Sequence, residues 1–263
     1  MPLCRLRRND GALSLGGTPG SLAGASLLPV PHPSVVMVKE VIRLVIGEET
    51  VDADCQFTFR NTGKACTVHM GFPDEGDGER VYFPDPGTKE TGPPQGQFTR
   101  FESRVNGEQV QTLAVRDKQN QSLVWHSKPV TFATGQTVVV QDKYAQQVGS
   151  QIAGHNGVYA KASYILRTGA SWHSNIGSSE VLVSFRRKRP TYPLEPRVIQ
   201  YGSDEYEMRD WTSEDRRVYW SGFVIPTVID SGRTLRFYRQ NWKPTNRSDV
   251  FLAFDDRGAK MSR

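Results

Sequence analysis

The feature that most constrains this chain is the alternation of apolar and polar side chains over residues 51–60. Val51, Ala53, Cys55, Phe57 and Phe59 are apolar, and Asp52, Asp54, Gln56, Thr58 and Arg60 between them are polar. A period of two sends successive side chains to opposite faces, which describes a strand with one buried and one wet surface and not a helix. The pattern resumes at Cys66, Val68, Met70 and Phe72. Read as a hairpin turn, Asn61-Thr62-Gly63-Lys64 sets Cys55 opposite Met70 and Cys66 opposite Phe59, with both apolar sets on one face. The two sulfurs then stand four residues out of register, about 13 Å at strand rise, so the cysteines are expected as free thiols with no disulfide.

Strand signals continue on both sides. Residues 35–46 are rich in Val and Ile, and residues 101–105 lead into Asn106-Gly107, the dipeptide of a tight two-residue turn, with a return over 109–115. Residues 124–132 and 138–144 flank a turn at Gly135. A polar, glycine-rich stretch at 145–157 then precedes short β-branched or aromatic runs at 158–166, 181–185, 197–201, 218–225, 235–238 and 250–254. Only residues 213–217 suggest a helical turn. The expected fold is all-β, two immunoglobulin-like antiparallel β-sandwich lobes at 35–145 and 158–256 with very little helix, preceded by a flexible arm at 1–34.

The chain's 263 residues, 37% of them hydrophobic and 23% charged, suffice for a sizeable core. No apolar run approaches the roughly 20 residues of a membrane-spanning helix. The net charge of +5 is uneven: residues 51–100 carry 5 basic and 8 acidic side chains, and residues 151–200 carry 7 and 2. The dense basic run Arg186, Arg187, Lys188 and Arg189 follows an apolar strand and precedes Pro190, so it reads as a solvated loop and no nucleic-acid partner is expected.

Signatures of chemistry are few. The histidines His32, His69, His126, His155 and His173 include no pair at metal-ligand spacing, and no nucleophile-elbow, P-loop or dinucleotide motif occurs. No cofactor is implied. The acidic stretch 74–79 sets oxygen donors at Asp74, Asp77 and Glu79, weak candidates for a cation, but reads as a solvated loop tip. The most distinctive segment is 164–177, where Arg167, Trp172, His173 and Asn175 gather on a glycine-bounded turn. An aromatic face with a few polar groups is how sugar rings and peptides are held. The same residues also fit a plug, with Trp172 and Ile176 closing the end of the second sandwich.

Four stretches in order carry a resemblance: Asn9-Asp10-Gly11-Ala12; residues 37–73, including Met70-Gly71-Phe72-Pro73; residues 164–177, including Leu166-Arg167-Thr168-Gly169-Ala170-Ser171-Trp172; and Asn241-Trp242-Lys243-Pro244-Thr245. Together these resemble the bacterial domain of unknown function 4424 family, over nearly the whole chain. The resemblance implies export, with a signal peptide ending just before a segment like Asn9-Asp10-Gly11, and hence a truncated or misassigned start here. It brings no catalytic residues. The reading that follows is a non-catalytic, extracytoplasmic module that binds a protein or carbohydrate of the cell envelope; the alternative is a secreted hydrolase of polysaccharide or peptide with a site near the Trp172 turn.

Overall fold

The structure is a computed structural model, and it describes residues 11–16, 26–29, 31–74, 94–117, 123–152, 158–186, 197–198, 218–245 and 247–255. In chain order the strands are β1 (Gly11–Gly16), β2 (Ser26–Pro29), β3 (Val35–Ile46), β4 (Thr50–Asn61), β5 (Cys66–Asp74), β6 (Phe98–Val105), β7 (Glu108–Val110), β8 (Leu113–Arg116) and β9 (Val124–Phe132). There follow β10 (Thr137–Gln147), β11 (Gly149–Ile152), β12 (Val158–Tyr164), β13 (Ile176–Phe185), β14 (Arg197–Val198), β15 (Val218–Ser221), β16 (Thr227–Ile229), β17 (Thr234–Trp242) and β18 (Val250–Asp255). The helical turns among the described residues are two short 3-10 segments, Arg167–Ser171 and Asp230–Gly232. The protein is all-β.

Three sheets form. An eight-stranded sheet runs β16-β17-β13-β3-β4-β10-β6-β7, and two five-stranded sheets run β2-β1-β5-β9-β8 and β11-β12-β18-β15-β14. Register explains the layering. Phe57 pairs with Glu40 and Val140, Cys55 with Ile42 and Asp142, and Val181 with Ile42 and Phe237, so one face of the large sheet is buried from β17 to β10. Both small sheets pack on that face. Phe72 of β5 lies 5.6 Å from Tyr144 of β10 and 5.6 Å from Phe101 of β6, while Trp220 of β15 lies 5.8 Å from Phe237 of β17 and Phe254 of β18 lies 5.5 Å from Phe185 of β13. The opposite face stays wet. Ion pairs cross it between neighbouring strands, Lys143 with Asp54 at 3.5 Å and Arg236 with Glu180 at 2.6 Å.

Several expectations are revised. β4 and β5 do not pair as a hairpin; β4 lies between β3 and β10, and β5 between β1 and β9. Asn61 explains the corner. Its buried side chain donates to the carbonyls of Lys64 at 2.7 Å and Ala133 at 3.2 Å and accepts from Gly63 N at 3.0 Å, so the chain turns out of the large sheet into the small one. Neither Cys55 nor Cys66 is held in a disulfide. The Asn106-Gly107 turn does close β6 on β7, with φ of 51° and 87°, but the return breaks after Val110 and β8 joins the sheet of β9. The segment 1–34, expected as an arm, contributes β1 and β2. Strands from 35–145 and 158–256 share the large sheet, because β13 lies parallel to β3 from Ser178↔Lys39 to Phe185↔Ile46. The helical turn expected at 213–217 and the basic residues Arg187, Lys188 and Arg189 lie outside the described residues.

Candidate binding site at the Trp172 turn

The turn begins where β12 ends. Asp249, just before β18, accepts from Leu166 N at 2.9 Å and Arg167 N at 3.2 Å, and its other oxygen faces Arg167 Nε at 3.0 Å. One carboxylate therefore ties down two backbone donors at the start of the 3-10 segment and neutralises the arginine beside it. Ser171 Oγ donates to Thr168 O at 2.8 Å, which stitches the turn internally.

Trp172 is 2% exposed, its ring 4.5 Å from Phe59 and 6.2 Å from His32. The ring fills the end of the core, so its faces pack against protein and are not offered as a platform. The chain then reverses through Ser174, whose φ of 61° is uncommon for a residue with a Cβ. Lys243 Nζ donates to Trp172 O at 2.7 Å and Ser174 O at 2.8 Å, bridging the carbonyls on either side of His173. Partial burial pushes the Lys243 ammonium below the usual lysine range. Asn175 Nδ2 donates to Asn241 Oδ1 at 3.0 Å, and Asn241 is itself left-handed at φ 47°. Ser174 in the turn and Asn241 in β17 are thus two non-glycine residues with left-handed backbone, placements that the surrounding bonds must hold.

Of the four residues singled out in sequence, all lie on this turn. His173 and Asn175 are exposed, whereas Arg167 is held by Asp249 and Trp172 is interior. The residues that position them come from elsewhere: His32 before β3, Asn241 and Lys243 at the end of β17, and Asp249 before β18. Their signal in the sequence was the recurrence of Asn241-Trp242-Lys243-Pro244 among the motifs of the resemblance; His32 and Asp249 carried none. Chemically, the turn offers hydrogen-bond donors and a cation on a rigid base. Its carboxylate is committed to Arg167 and to the backbone, and the side chains left exposed on the turn are those of His173, Ser174 and Asn175.

The acidic loop resolves differently. Asp74 is 1% exposed and ends β5; its carboxylate accepts from Gln97 N at 2.6 Å and Phe98 N at 3.0 Å and faces His126 Nε2 at 3.2 Å. It is an anchor across the base of the 75–96 connection and not part of a solvated tip. A side chain at Gly96 would strike it, since a Cβ there would sit 2.2 Å from the carboxylate. Asp77 and Glu79 lie outside the described residues, and no group of three metal-ligating side chains occurs among the described ones.

No family model and no curated protein matches the chain. Solved structures do. A candidate nutrient-binding protein of Legionella pneumophila superposes with a TM-score of 0.59 at 21% identity, over 86% of this chain and 68% of that one. An M1 zinc metallopeptidase of Deinococcus radiodurans gives 0.41 at 12% identity, over 86% of this chain and 44% of that one. Yeast leukotriene A4 hydrolase gives 0.43 at 10%, over 84% of this chain and 29% of that one. What this chain shares with the Legionella protein at that identity is its fold.

Proposed function

We propose that this chain is a member of the domain of unknown function 4424 family and serves as a non-catalytic module of the bacterial cell envelope, outside the cytoplasm, where it binds a protein or carbohydrate partner through the Trp172 turn. The observation that carries the reading is the build of that turn. A buried indole fixes it to the core, Asp249 and Lys243 hold its two ends, and His173 and Asn175 stand exposed on top. Rigid support under a polar rim is the arrangement that binding loops need, because little conformational entropy remains to be lost when a partner docks. The Legionella protein's description as a candidate nutrient-binding protein is compatible with a binding role. We read each small sheet on the large one as a β-sandwich half, supported by the Phe72–Tyr144 and Trp220–Phe237 contacts.

The test places a photo-crosslinking phenylalanine at position 173, and separately at Gln56 on the wet face of the large sheet, in the full chain produced in bacteria with its own upstream sequence. The expected result is a discrete crosslinked species from position 173, recovered in the envelope fraction, and none from position 56. Equal labelling from both positions, or a protein confined to the cytosol, overturns the reading.

A further inference from the structure

Residues 31–35 form a strap across the end of the large sheet. His32 N donates to Ser171 O at 2.8 Å and His173 N donates to Val35 O at 3.0 Å, so the strap is sewn to the Trp172 turn. Ser34 sews its other side to the corner after β4: its carbonyl accepts from Thr62 N at 2.9 Å and Thr62 Oγ1 at 2.8 Å, and its hydroxyl lies 3.0 Å from Asn61 Oδ1. None of these groups titrates.

The centre of the strap does. His32 Nδ1 accepts from Val35 N at 2.9 Å and from Ser34 N at 3.2 Å. A ring nitrogen that accepts carries no proton, so the imidazole is neutral with its hydrogen on Nε2. An imidazolium carries N–H on both nitrogens. Protonation would therefore aim a third N–H at the two backbone N–H groups, and the ring would have to leave its place beside Trp172.

We infer that His32 is a proton-operated latch for the Trp172 turn: neutral, it holds the turn closed on the end of the large sheet, and protonated, it releases the strap. The consequence for partner binding rests on the function proposed above; the latch itself does not. The charged and titratable groups around the strap, among the described residues, are His173 on the turn, Lys243 bridging the Trp172 and Ser174 carbonyls, Lys64 in the corner after β4, and Asp249. Lys243 and Lys64 are cations, His173 is a second imidazole, and Asp249 is spent on Arg167 and two backbone donors. Nothing among them is placed to welcome a charge on His32. Burial and then the neighbouring His173 hold the His32 imidazole below the usual histidine range. The unfolded chain then takes up the proton first, so the latch contributes fully above about pH 6.5 and is lost as pH falls below it.

Amide exchange of the full chain, read residue by residue by NMR at pH 7.5 and 5.0 and divided by the random-coil rate at each pH, tests this. Protection at Ser34, Val35 and His173 is expected to fall severalfold on acidification, while amides of β4 and β10 keep theirs. His32→Asn places a non-titrating oxygen where Nδ1 stood and is expected to hold its protection at both pH values; His32→Ala is expected to be unlatched at both. Unchanged protection in the unsubstituted chain, or an equal loss in His32→Asn, overturns the latch. A pH response of the amides with no crosslink from position 173 would leave the latch standing and remove the binding surface; a crosslink with no pH response would do the reverse.

Discussion

At the scale of single residues, two buried side chains carry more of this fold than their neighbours. Trp172 closes the end of the core against Phe59, so removing its ring leaves a cavity that the strap and turn cannot fill without moving. Trp172→Ala is expected to cost about 3–5 kcal/mol in urea denaturation, in the range of large-to-small core changes. Trp172→Phe should cost less. Unchanged stability would mean that the ring does not pack as described. The second is Lys128 of β9, fully buried and bonded to both oxygens of Asp142 on β10 at 2.8 Å. This pair crosses between sheets, and removing one partner strands the other in a dry interior. Lys128→Met alone is expected to lose about 3–5 kcal/mol, and Lys128→Met with Asp142→Leu to recover most of it, because two apolar side chains leave no unpaired charge. Chemical denaturation of the three proteins decides it. Sequence located Trp172 and its exposed neighbours but missed the Lys128–Asp142 pair, since Lys128 shares the phase of the buried Val130 and Phe132 and its partner is a residue of a different sheet, a contact that alternation along one strand does not reveal.

At the scale of elements, alternation identified strands reliably because it reports burial of one face, and burial is what the large sheet imposes on β3, β4 and β10. Alternation says nothing about the neighbour across the ladder. β4 and β5 looked like a hairpin because both apolar sets could share a face; that condition is met equally when the second strand passes to a facing sheet, which is what Asn61 brings about. Glycines show the same gap between local and tertiary reading. Gly135 takes a φ of 73° with open space about it, so Gly135→Ala is expected to cost only the left-handed backbone term, about 1 kcal/mol. Gly177 opens no turn, yet a Cβ there would lie 2.3 Å from the Val38 carbonyl oxygen, at the bulge where β3 passes β13. Backbone cannot rotate aside as a side chain does, and Gly177→Ala is expected to cost about 3 kcal/mol, the upper end of overpacking. Thermal unfolding of the two variants should rank them in that order; the reverse ranking would put the close approach elsewhere.

At the scale of the whole molecule, the composition shift at 145–157 suggested a boundary between lobes, and the large sheet is continuous across it. β3 gives one edge to β4 and the other to β13, so every residue from Lys39 to Ile46 is flanked by strands drawn from both sides of that shift. The parallel pairing could not be seen in sequence, because strands more than 130 residues apart share no turn and parallel pairing leaves no local signature. Its energetic consequence is coupling. Separating the chain near residue 150 would bare the β3 edge and strip the buried faces of Ile42 and Leu44 of Val181 and Val183 beside them. A fragment of residues 1–150 is accordingly expected to lack a cooperative transition or to aggregate. The intact chain is expected to melt in one step, with tryptophan fluorescence and far-ultraviolet circular dichroism coincident. Two separated transitions in the intact chain, with the fragment reproducing the first, would show that the shared sheet joins the halves in space without joining them in stability.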